Sequence, residues 1–301
     1  MKRLLSTREV AQFLGVNEKM IYTLISEKGL PASKVTGKWL FPSHLVEQWV
    51  EGRTINYPST AQPGSLDGLL VVAGSNDILL DKALGLYMRH FPDELAVFGN
   101  MGSLGGIKAL KRGTCHMAAS HLAEEEREEY NFSYAAEELK ELPAVVNFCR
   151  REQILYLAPG NPLGITTVAD IPERGLKVAN RPLGTGTRLL FDRLLSQVEA
   201  DTSKIPGYER EFPRHMDVGL EVLAGRADCG PGIRAVAGLL GLDTLHVGWE
   251  RFDLLIPKDR FFEKPVQQFL NMLTDPEFKA LSASLDGYDL SESGKMVFPG
   301  G

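Results

Sequence analysis

The spacing of hydrophobic positions changes near residue 68. Before that point the apolar residues recur every three or four positions, as they do along one face of a helix. Ser6 and Glu9 fit the capping-box pattern that begins a helix, and Gly15 ends it. A second helix follows Asn17 and ends at Gly29. This pattern predicts a helix-turn-helix.

The stretch after the second helix has the signals of a hairpin. Residues 33–41 alternate around Thr36 and Gly37, which favours two short strands and a turn. A third helix-spaced run follows, so the pattern predicts a winged helix-turn-helix over residues 1–54. Residues 55–67 are polar, with two prolines and one glycine, and predict a linker.

From residue 68 onward, short continuous apolar runs alternate with helix-spaced runs. The predicted strands are residues 69–73, 95–98, 116–119, 144–158, 176–179 and 252–257, and the predicted helices are 77–90, 104–111, 189–195 and 218–224. Repeated strand–turn–helix units predict an α/β fold with a parallel sheet, whose ligand sites lie at the carboxyl ends of its strands. Ser75, Ser103 and Ser120 fall at such ends, although each also fits an ordinary helix cap.

Composition is that of an ordinary soluble protein. The chain has 301 residues, of which 44% are hydrophobic and 24% charged, and no run approaches the roughly 18 apolar residues of a membrane-spanning helix. Charged residues come too early at the start for a signal peptide. Three widely spaced cysteines without CxxC spacing favour free thiols over a disulfide framework or a zinc site. We therefore expect a cytoplasmic protein with no membrane partner.

Charge is distributed unevenly. Residues 1–54 contain eight Lys and Arg against five Asp and Glu, a balance of +3, whereas the remainder contains 25 against 34, a balance of −9. This asymmetry indicates that only the N-terminal head meets nucleic acid. The acidic run at residues 124–129 predicts a solvated helix and loop.

Residues 180–188, Asn-Arg-Pro-Leu-Gly-Thr-Gly-Thr-Arg, are the densest group of anion-binding signals. A strand, a glycine-rich turn and a helix N-terminus together direct free backbone N–H groups and a helix dipole to one place. The stretch adds the hydroxyls of Thr185 and Thr187 and the guanidinium groups of Arg181 and Arg188. It therefore predicts an oxyanion site. The alternative is a strand-to-helix turn with solvated arginines, and the GxxxxGK[ST] pattern of a Walker A loop is absent.

Alternatives remain for single residues of this stretch. Arg181 could form an ion pair with Asp217 or Glu209, and Arg188 could face solvent. The sequence shows no Ser/His/Asp order, paired carboxylates or nucleophile elbow, and its histidines lack metal-ligand spacing. We therefore expect neither an enzyme nor a metal or organic cofactor.

Residues 3–52 resemble the excisionase-type, MerR-like winged helix-turn-helix DNA-binding domain. The match lies in residues 5–16, in Ile21-Tyr22, in 29–32 and in the hairpin 37–42. The resemblance implies that the second helix enters the major groove of DNA and that the wing touches the backbone. The implied DNA contacts are Asn17, Glu18, Lys19, Tyr22, Thr23, Lys34 and Lys38. The second helix lacks arginine, the commonest base-reading residue, which predicts modest specificity; a protein-interaction domain is the alternative.

The body resembles the two-lobed, type II periplasmic-binding-protein fold, in the molybdate- and tungstate-related branch. Residues 180–188 carry the resemblance, together with stretches at 207–211, 215–218 and 225–233. The resemblance implies a first lobe of about 68–150 and 257–301, a second lobe of about 158–250, and an oxyanion held by Arg181 and Thr187. Ser75 and Ser103 would close on it from the first lobe.

Together these expectations describe a ligand-responsive transcriptional regulator. Residues 1–54 would bind double-stranded DNA, and residues 68–301 would bind a small oxyanion, molybdate or tungstate by resemblance, in a homodimer. Two alternatives stay open. The ligand could be another oxyanion or an organic acid, or the chain could be an anion-binding or storage protein whose head mediates protein contacts.

Overall fold

The structure is a computed structural model, and it describes residues 3–35, 37–51, 53, 68–123 and 130–299. The chain divides into two compact units, Met1–Ser65 and Leu66–Gly301. The predicted linker, the acidic run and Thr36 of the predicted hairpin turn lie outside the described residues. No helix in the described part of the chain is long and apolar enough to cross a membrane.

The first unit contains a three-stranded antiparallel sheet and three helices. Its elements are β1 (Leu4–Ser6), α1 (Thr7–Leu14), α2 (Glu18–Lys28), β2 (Ser33–Val35), β3 (Lys38–Pro42) and α3 (Ser43–Glu51). The strand order is β1-β3-β2. The predicted order of helix, turn, helix, hairpin and helix is confirmed. Strand β1 was not predicted, because three residues are too few to show an alternation of apolar and polar positions.

Local sequence sets the ends of α1 and α2. The backbone N–H of Glu9 donates to Ser6 Oγ at 3.3 Å, and the Glu9 carboxylate accepts from the backbone N–H of Ser6 at 2.8 Å. Gly15 and Gly29 end the two helices in the left-handed region, at φ +66° and +64°, which glycine adopts without a side-chain clash. A small core then fixes the helices on the sheet, formed by Val10, Ala11, Ile21, Leu30, Phe41 and Val46.

The second unit is a larger α/β body. Its strands are β4 (Leu69–Gly74), β5 (Leu95–Asn100), β6 (Met117–Ser120), β7 (Ala144–Leu157), β8 (Cys229–Ile233), β9 (Asp243–Ile256), β10 (Tyr288–Asp289) and β11 (Met296–Val297). Its helices are α4 (Ile78–His90), α5 (Gly102–Lys111), α6 (Phe132–Glu138), α7 (Asp170–Glu173), α8 (Gly186–Gln197), α9 (His215–Leu223), α10 (Arg234–Leu240), α11 (Lys264–Met272) and α12 (Pro276–Ala283). A short 3-10 helix spans Thr202–Lys204.

Among the described residues, eight strands form one sheet in the order β10-β7-β9-β6-β4-β5, with β8 and β11 paired to β7. Strand β4 runs parallel to β5 and β6, whereas β7 and β9 are antiparallel to each other and to their other neighbours. The predicted parallel pairing is confirmed for β4, β5 and β6, whereas the sheet as a whole is mixed. The physical reason is that the two long strands lie side by side in opposite directions.

Strands β7 and β9 connect two lobes. Each has 14 residues, paired from Ala144 opposite Ile256 to Leu157 opposite Asp243. The first lobe consists of β4–β6 with α4–α6, α11 and α12, around one large apolar core and a smaller neighbour. The second lobe consists of α7–α10 and β8, with its own two cores. The register of the pair shifts twice, between 147 and 149 and between 153 and 154.

Two predicted strands differ from the observed ones. Strand β9 begins at Asp243, nine residues before its predicted start, because its first half is largely accessible and lacks a continuous apolar run. Residues 176–179 form no strand of their own. They contribute only one isolated bridge, between Val178 and Cys229, because the rest of the stretch has no neighbour in ladder register.

Candidate functional site

The seven residues implied as DNA contacts are all exposed on the first unit. Five belong to α2 or its start, and two belong to the paired strands β2 and β3. Asn17 also caps α2, since its Oδ1 accepts from the backbone N–H of Met20 at 2.9 Å. Lys34 lies over the ring of Trp39, with Nζ 5.7 Å from the ring centroid. The face of α2 and the hairpin is therefore open to a partner.

In the second unit the two lobes are closed on each other. Asn100 Nδ2 of the first lobe donates to the carbonyl oxygen of Pro213 in the second at 3.1 Å. Near it, a Cβ added at Gly102 would lie 3.3 Å from Thr185 Cγ2. A Cβ added at Gly186 would come within 2.5 Å of the His121 ring. The glycine-rich turn of the second lobe therefore meets the strand ends of the first lobe directly.

His121 is the centre of this interface. Its Nε2 lies 2.8 Å from Ser75 Oγ, its backbone N–H donates to Ser103 Oγ at 3.3 Å, and Gly186 covers its ring. Thr187 is the next residue of that turn. Ser75, Ser103 and Thr187 are each at most 1% exposed. The structure thus brings Ser75 and Ser103 into contact with one histidine that the sequence did not single out, and Thr187 follows the glycine that covers its ring.

His121 also links Ser75 to Glu250. Its Nδ1 lies 2.9 Å from Glu250 Oε2, so the three side chains form a Ser–His–Glu chain. Hydrolases use the same order of groups for nucleophilic catalysis. Here Ser75 and His121 are each 1% exposed and the second lobe covers the ring. Burial raises the pKa of Glu250, but His121 and Arg151 outweigh it, so the pKa lies below its ordinary value.

Arg151 lies on β7 next to this chain. Its Nε donates to Glu250 Oε1 at 2.5 Å and its Nη1 to Asp77 Oδ2 at 2.9 Å, while its guanidinium stacks on Phe252 at 4.3 Å. Burial lowers the pKa of Arg151, but Glu250 and Asp77 raise it by more. Its Nη2 has no hydrogen-bond partner. One nitrogen of this fully buried guanidinium, Nη2, therefore donates no hydrogen bond.

Arg181 is buried without an ion pair in the described part of the chain, although the charge of Asp217 acts on it from a longer distance. It is 1% exposed, its Nη1 donates to the carbonyl oxygen of Phe212 at 2.9 Å, and its Nε has no partner. Within the described ranges no carboxylate forms an ion pair with it, so the alternative of a pair with Asp217 or Glu209 is not observed. Burial lowers the pKa of Arg181 to about 10. A buried charge without a partner of opposite charge costs free energy. An anion bound next to Arg181 would offset that cost.

Two further buried polar groups have no partner. Thr187 Oγ1 bonds to nothing, and neither ring nitrogen of His215 does. Burial, and then the charges of Arg181 and Arg151, hold the pKa of His215 well below its usual range. Thr187 and His215 lie in the first turns of α8 and α9, and Ser103 lies in the first turn of α5. Each of these three residues therefore lies at the positive end of a helix dipole, which favours negative charge.

Thr185 and Arg188, also predicted as ligand contacts, are engaged elsewhere. Thr185 Oγ1 caps α8 by accepting from the backbone N–H of Arg188 at 3.3 Å, and donates to the carbonyl oxygen of Pro182 at 2.8 Å. The Arg188 guanidinium pairs with Asp192 at 2.8 Å and Glu211 at 3.3 Å. Both side chains hold the turn, and we leave them out of the proposed donor set.

Ser120 also has a structural role, because its Oγ donates to Asn131 Oδ1 at 2.7 Å.

A cavity of about 480 Å³ lies next to the Ser75–His121–Glu250 chain, and His121, Gly186 and Glu250 form part of its wall. Its other walls include Leu189, Arg193 and Trp249. Space for a larger ligand therefore lies next to the buried donors.

Sequence reasoning missed His121, Arg151, His215 and Glu250. Two signals were available. Arg151 interrupts a strongly apolar strand, and His121 directly follows a predicted strand end. Glu250 carried no signal, because its partner lies 99 positions away.

Two known families match parts of the chain. Residues 84–274, more than half of the chain, match the PBP superfamily domain. The chain belongs to the PBP superfamily. Residues 4–54 match a helix-turn-helix domain. Neither match distinguishes an excisionase-type head or a molybdate- or tungstate-related branch of the superfamily.

Two sequence relatives share this arrangement in whole or in part. The uncharacterized protein YvgK of Bacillus subtilis is 26% identical over 299 residues, which is 96% of each chain. An uncharacterized protein from the 5′ region of a 2Fe-2S ferredoxin gene of Clostridium pasteurianum is 30% identical over 110 residues. That match covers 36% of this chain and 97% of the relative.

Solved structures share the two-lobed fold. A protein assigned as the substrate-binding protein of a phosphate ABC transporter of Clostridium perfringens, with bound phosphate, has a TM-score of 0.56 at 14% identity over 72% of this chain and 97% of that chain. The regulatory domain of MetR, a LysR family regulator from N. meningitidis, has a TM-score of 0.51 at 13% identity over 74% of this chain and 99% of that chain. At these identities the likeness shows the fold alone, which is type II PBP-like.

Proposed function

We propose that this PBP superfamily member is a ligand-responsive DNA-binding regulator whose second unit binds a tetrahedral oxyanion between its lobes. The helix-turn-helix and PBP matches support a regulator of this kind. The observation that carries the ligand class is the set of buried donors without partners: Arg151 Nη2, Arg181 Nε, Thr187 Oγ1 and the ring of His215.

The chemistry of this set favours an anion. Arg151 Nη2, Arg181 Nε and Thr187 Oγ1 can each donate a hydrogen bond. One ring nitrogen of neutral His215 can also donate, and the Arg181 charge lacks an ion pair with a carboxylate. A neutral or cationic ligand would leave that charge uncompensated in a buried site, whereas an oxyanion pairs with guanidinium through charge-assisted bonds. The helix ends of α5, α8 and α9 add to the same preference.

Molybdate or tungstate is the specific ligand we propose, on the resemblance of residues 180–188. The phosphate bound to the Clostridium perfringens neighbour supports the broader oxyanion class for this fold. In our proposal Arg181 and Thr187 hold the anion on the second lobe, and Ser103 and Ser75 approach it from the first lobe. Because donors of both lobes serve one ion, the anion favours the closed form. In a homodimer, closure would change the spacing of two DNA-binding heads.

A second candidate ligand is an oxyanion or carboxylate carried on an organic group. The cavity of about 480 Å³ favours it, since the wall formed by Leu189, Arg193 and Trp249 could hold such a group beside the buried donors. The structure of PEB3 with L-phospholactate, at 15% identity and a TM-score of 0.50 over 74% of this chain and 99% of that chain, has the same fold.

Calorimetry of the full chain with molybdate, tungstate, sulfate and phosphate tests the ligand class. We expect binding of at least one tetrahedral oxyanion, and a protein that binds none of the four would overturn the proposal. Electrophoretic mobility of duplex DNA with the full chain, with and without the anion, tests the regulator. If the full chain binds no DNA either with or without the anion, the regulator is overturned and the storage-protein alternative remains.

A further inference from the structure

The hydrogen bonds of the Ser75–His121–Glu250 chain all donate toward Glu250. Glu250 Oε1 accepts from Arg151 Nε and from Gln153 Nε2, and Oε2 faces His121 Nδ1. A carboxylate surrounded by donors is ionised and only accepts, so Nδ1 carries a hydrogen. In the neutral ring Nε2 is then an acceptor, and the Ser75 hydroxyl donates to it.

This direction decides what each hydroxyl offers to a ligand. The single hydrogen of Ser75 is used by His121, so Ser75 presents only lone pairs to a ligand. Lone pairs repel the oxygens of a fully deprotonated oxyanion and accept from the P–OH group of hydrogen phosphate. Ser103 keeps its hydrogen, since its Oγ only accepts, from the His121 backbone N–H, and Thr187 Oγ1 bonds to nothing.

Protonation of His121 reverses the direction. One proton from solvent forms a new N–H bond at Nε2, which then donates to Ser75 Oγ. The Ser75 hydrogen is released from the ring and can donate to an oxyanion. Every side chain that faces the anion then offers hydrogen, and the site gains one positive charge.

The surroundings of His121 oppose this step in the free protein. Burial disfavours the imidazolium, and so do the charges of Arg151 and Arg181, whereas Glu250 favours it; the balance places the pKa of His121 below its ordinary value. His215 on α9 also faces this group of charges. A bound dianion would remove the opposition of the two arginines, because its charge compensates theirs.

We propose that oxyanion binding is coupled to the uptake of one proton by His121, and that this coupling favours hydrogen-free oxyanions such as sulfate, molybdate and tungstate. The inference rests on the proposed oxyanion site. Hydrogen phosphate instead donates its own hydrogen to Ser75 and needs no proton uptake. Affinity for the hydrogen-free anions then rises as the pH falls, by up to about tenfold per pH unit.

Calorimetry of the unaltered full chain tests the coupling. Sulfate and tungstate are titrated at pH 7 in three buffers with different ionisation enthalpies, and the slope of the observed enthalpy gives the protons taken up. We expect an uptake of about one proton with sulfate and tungstate. With phosphate we expect no uptake, and instead a partial release of protons, because the dihydrogen phosphate present at pH 7 loses a proton when it binds as hydrogen phosphate. Between pH 8 and pH 6.5 the affinity for sulfate should rise at least fivefold.

Two matched variants locate the proton. In His121→Gln the uptake should disappear, whereas in His215→Gln it should remain even where the affinity falls. Circular dichroism checks that both variants fold. Uptake that persists in His121→Gln and disappears in His215→Gln would assign the proton to His215 and overturn the inference.

The outcomes for the unaltered chain separate the two proposals. Oxyanion binding with no proton uptake and no pH dependence overturns the coupling and leaves the anion site in place. If the chain binds none of these anions, both the anion site and its coupling to proton uptake are overturned.

Discussion

Gly186 lies directly against the imidazole of His121, across the interface between the lobes. A Cβ at residue 186 would come within 2.5 Å of ring atoms Cε1 and Nδ1 and within 2.8 Å of the His121 carbonyl oxygen. Residue 186 begins α8 and does not have a left-handed backbone. The absence of a side chain therefore serves the contact between lobes rather than the backbone conformation.

Replacement Gly186→Ala should weaken oxyanion binding at least fivefold without unfolding the protein. The added methyl group strains only the closed form, and overpacking of this kind costs about 1–3 kcal/mol. Calorimetry measures the affinity, and small-angle scattering should show a larger radius of gyration. Gly85→Ala in α4 is the matched control, because nothing lies within 4 Å of its added Cβ. Equal affinity in both variants would contradict the role of the Gly186 contact.

Replacement Arg181→Ala should remove most of the oxyanion affinity, at a cost of about 2–5 kcal/mol. The same change removes a buried charge without a carboxylate partner, so the free protein should lose little stability. Thermal unfolding with and without saturating tungstate measures both effects in one experiment.

The contrast for this prediction is Arg188→Ala, which breaks ion pairs with Asp192 and Glu211. That variant should destabilise the free protein while it retains an anion-induced rise in Tm. The reverse pattern in the two variants would show that the donor set is wrongly assigned.

The free protein should lose stability as the pH falls below about 6.5. His215 is neutral when folded because its pKa lies well below 6.5, whereas in the unfolded chain it binds a proton at its ordinary pKa. The unfolded state therefore gains protons first, and the loss from this group is about 1.4 kcal/mol per pH unit. Urea unfolding at pH 7 and pH 5 measures it. His215→Gln should flatten the dependence, and an unchanged dependence in this variant would contradict the assignment to His215.

DNA binding should depend on the hairpin of the first unit. Lys38→Ala should lower affinity for all duplex sequences alike and reduce the slope of log affinity against log salt by about one, because one phosphate contact is lost. Fluorescence anisotropy at several salt concentrations measures both quantities. Lys28→Ala removes the same charge at the far end of α2 and is the control. Equal losses in the two variants would place the DNA contact elsewhere.

Local rules made the first unit predictable. The capping pair Ser6 and Glu9 and the stop at Gly15 depend on contacts within a few residues, so the sequence alone locates α1. For the same reason the strand ends and the glycine-rich turn indicated Ser75, Ser103, Arg181 and Thr187 as candidates. None of those four required knowledge of which strands are neighbours.

Pairing of distant strands hid the rest of the site. Arg151 stands opposite Glu250 only because β7 and β9 pair in a particular register, and no local pattern encodes that register. Likewise, the role of His121 depends on Ser75, directly after β4, and on Glu250, on β9. The ion pairs of Arg188 were hidden for a related reason, because Glu211, one of its carboxylate partners, comes from a separate loop.

The register shifts of β7 lie on either side of Arg151. Irregular pairing is where a two-stranded ribbon bends and twists most readily, and this ribbon is the only paired connection between the lobes in the described part of the chain. Arg151, which belongs to the proposed anion site, therefore lies in the part of the connecting strands where the pairing is irregular. A ligand bound in this site would therefore respond to the angle between the lobes through the connecting strands β7 and β9, as well as through the facing surfaces of the two lobes.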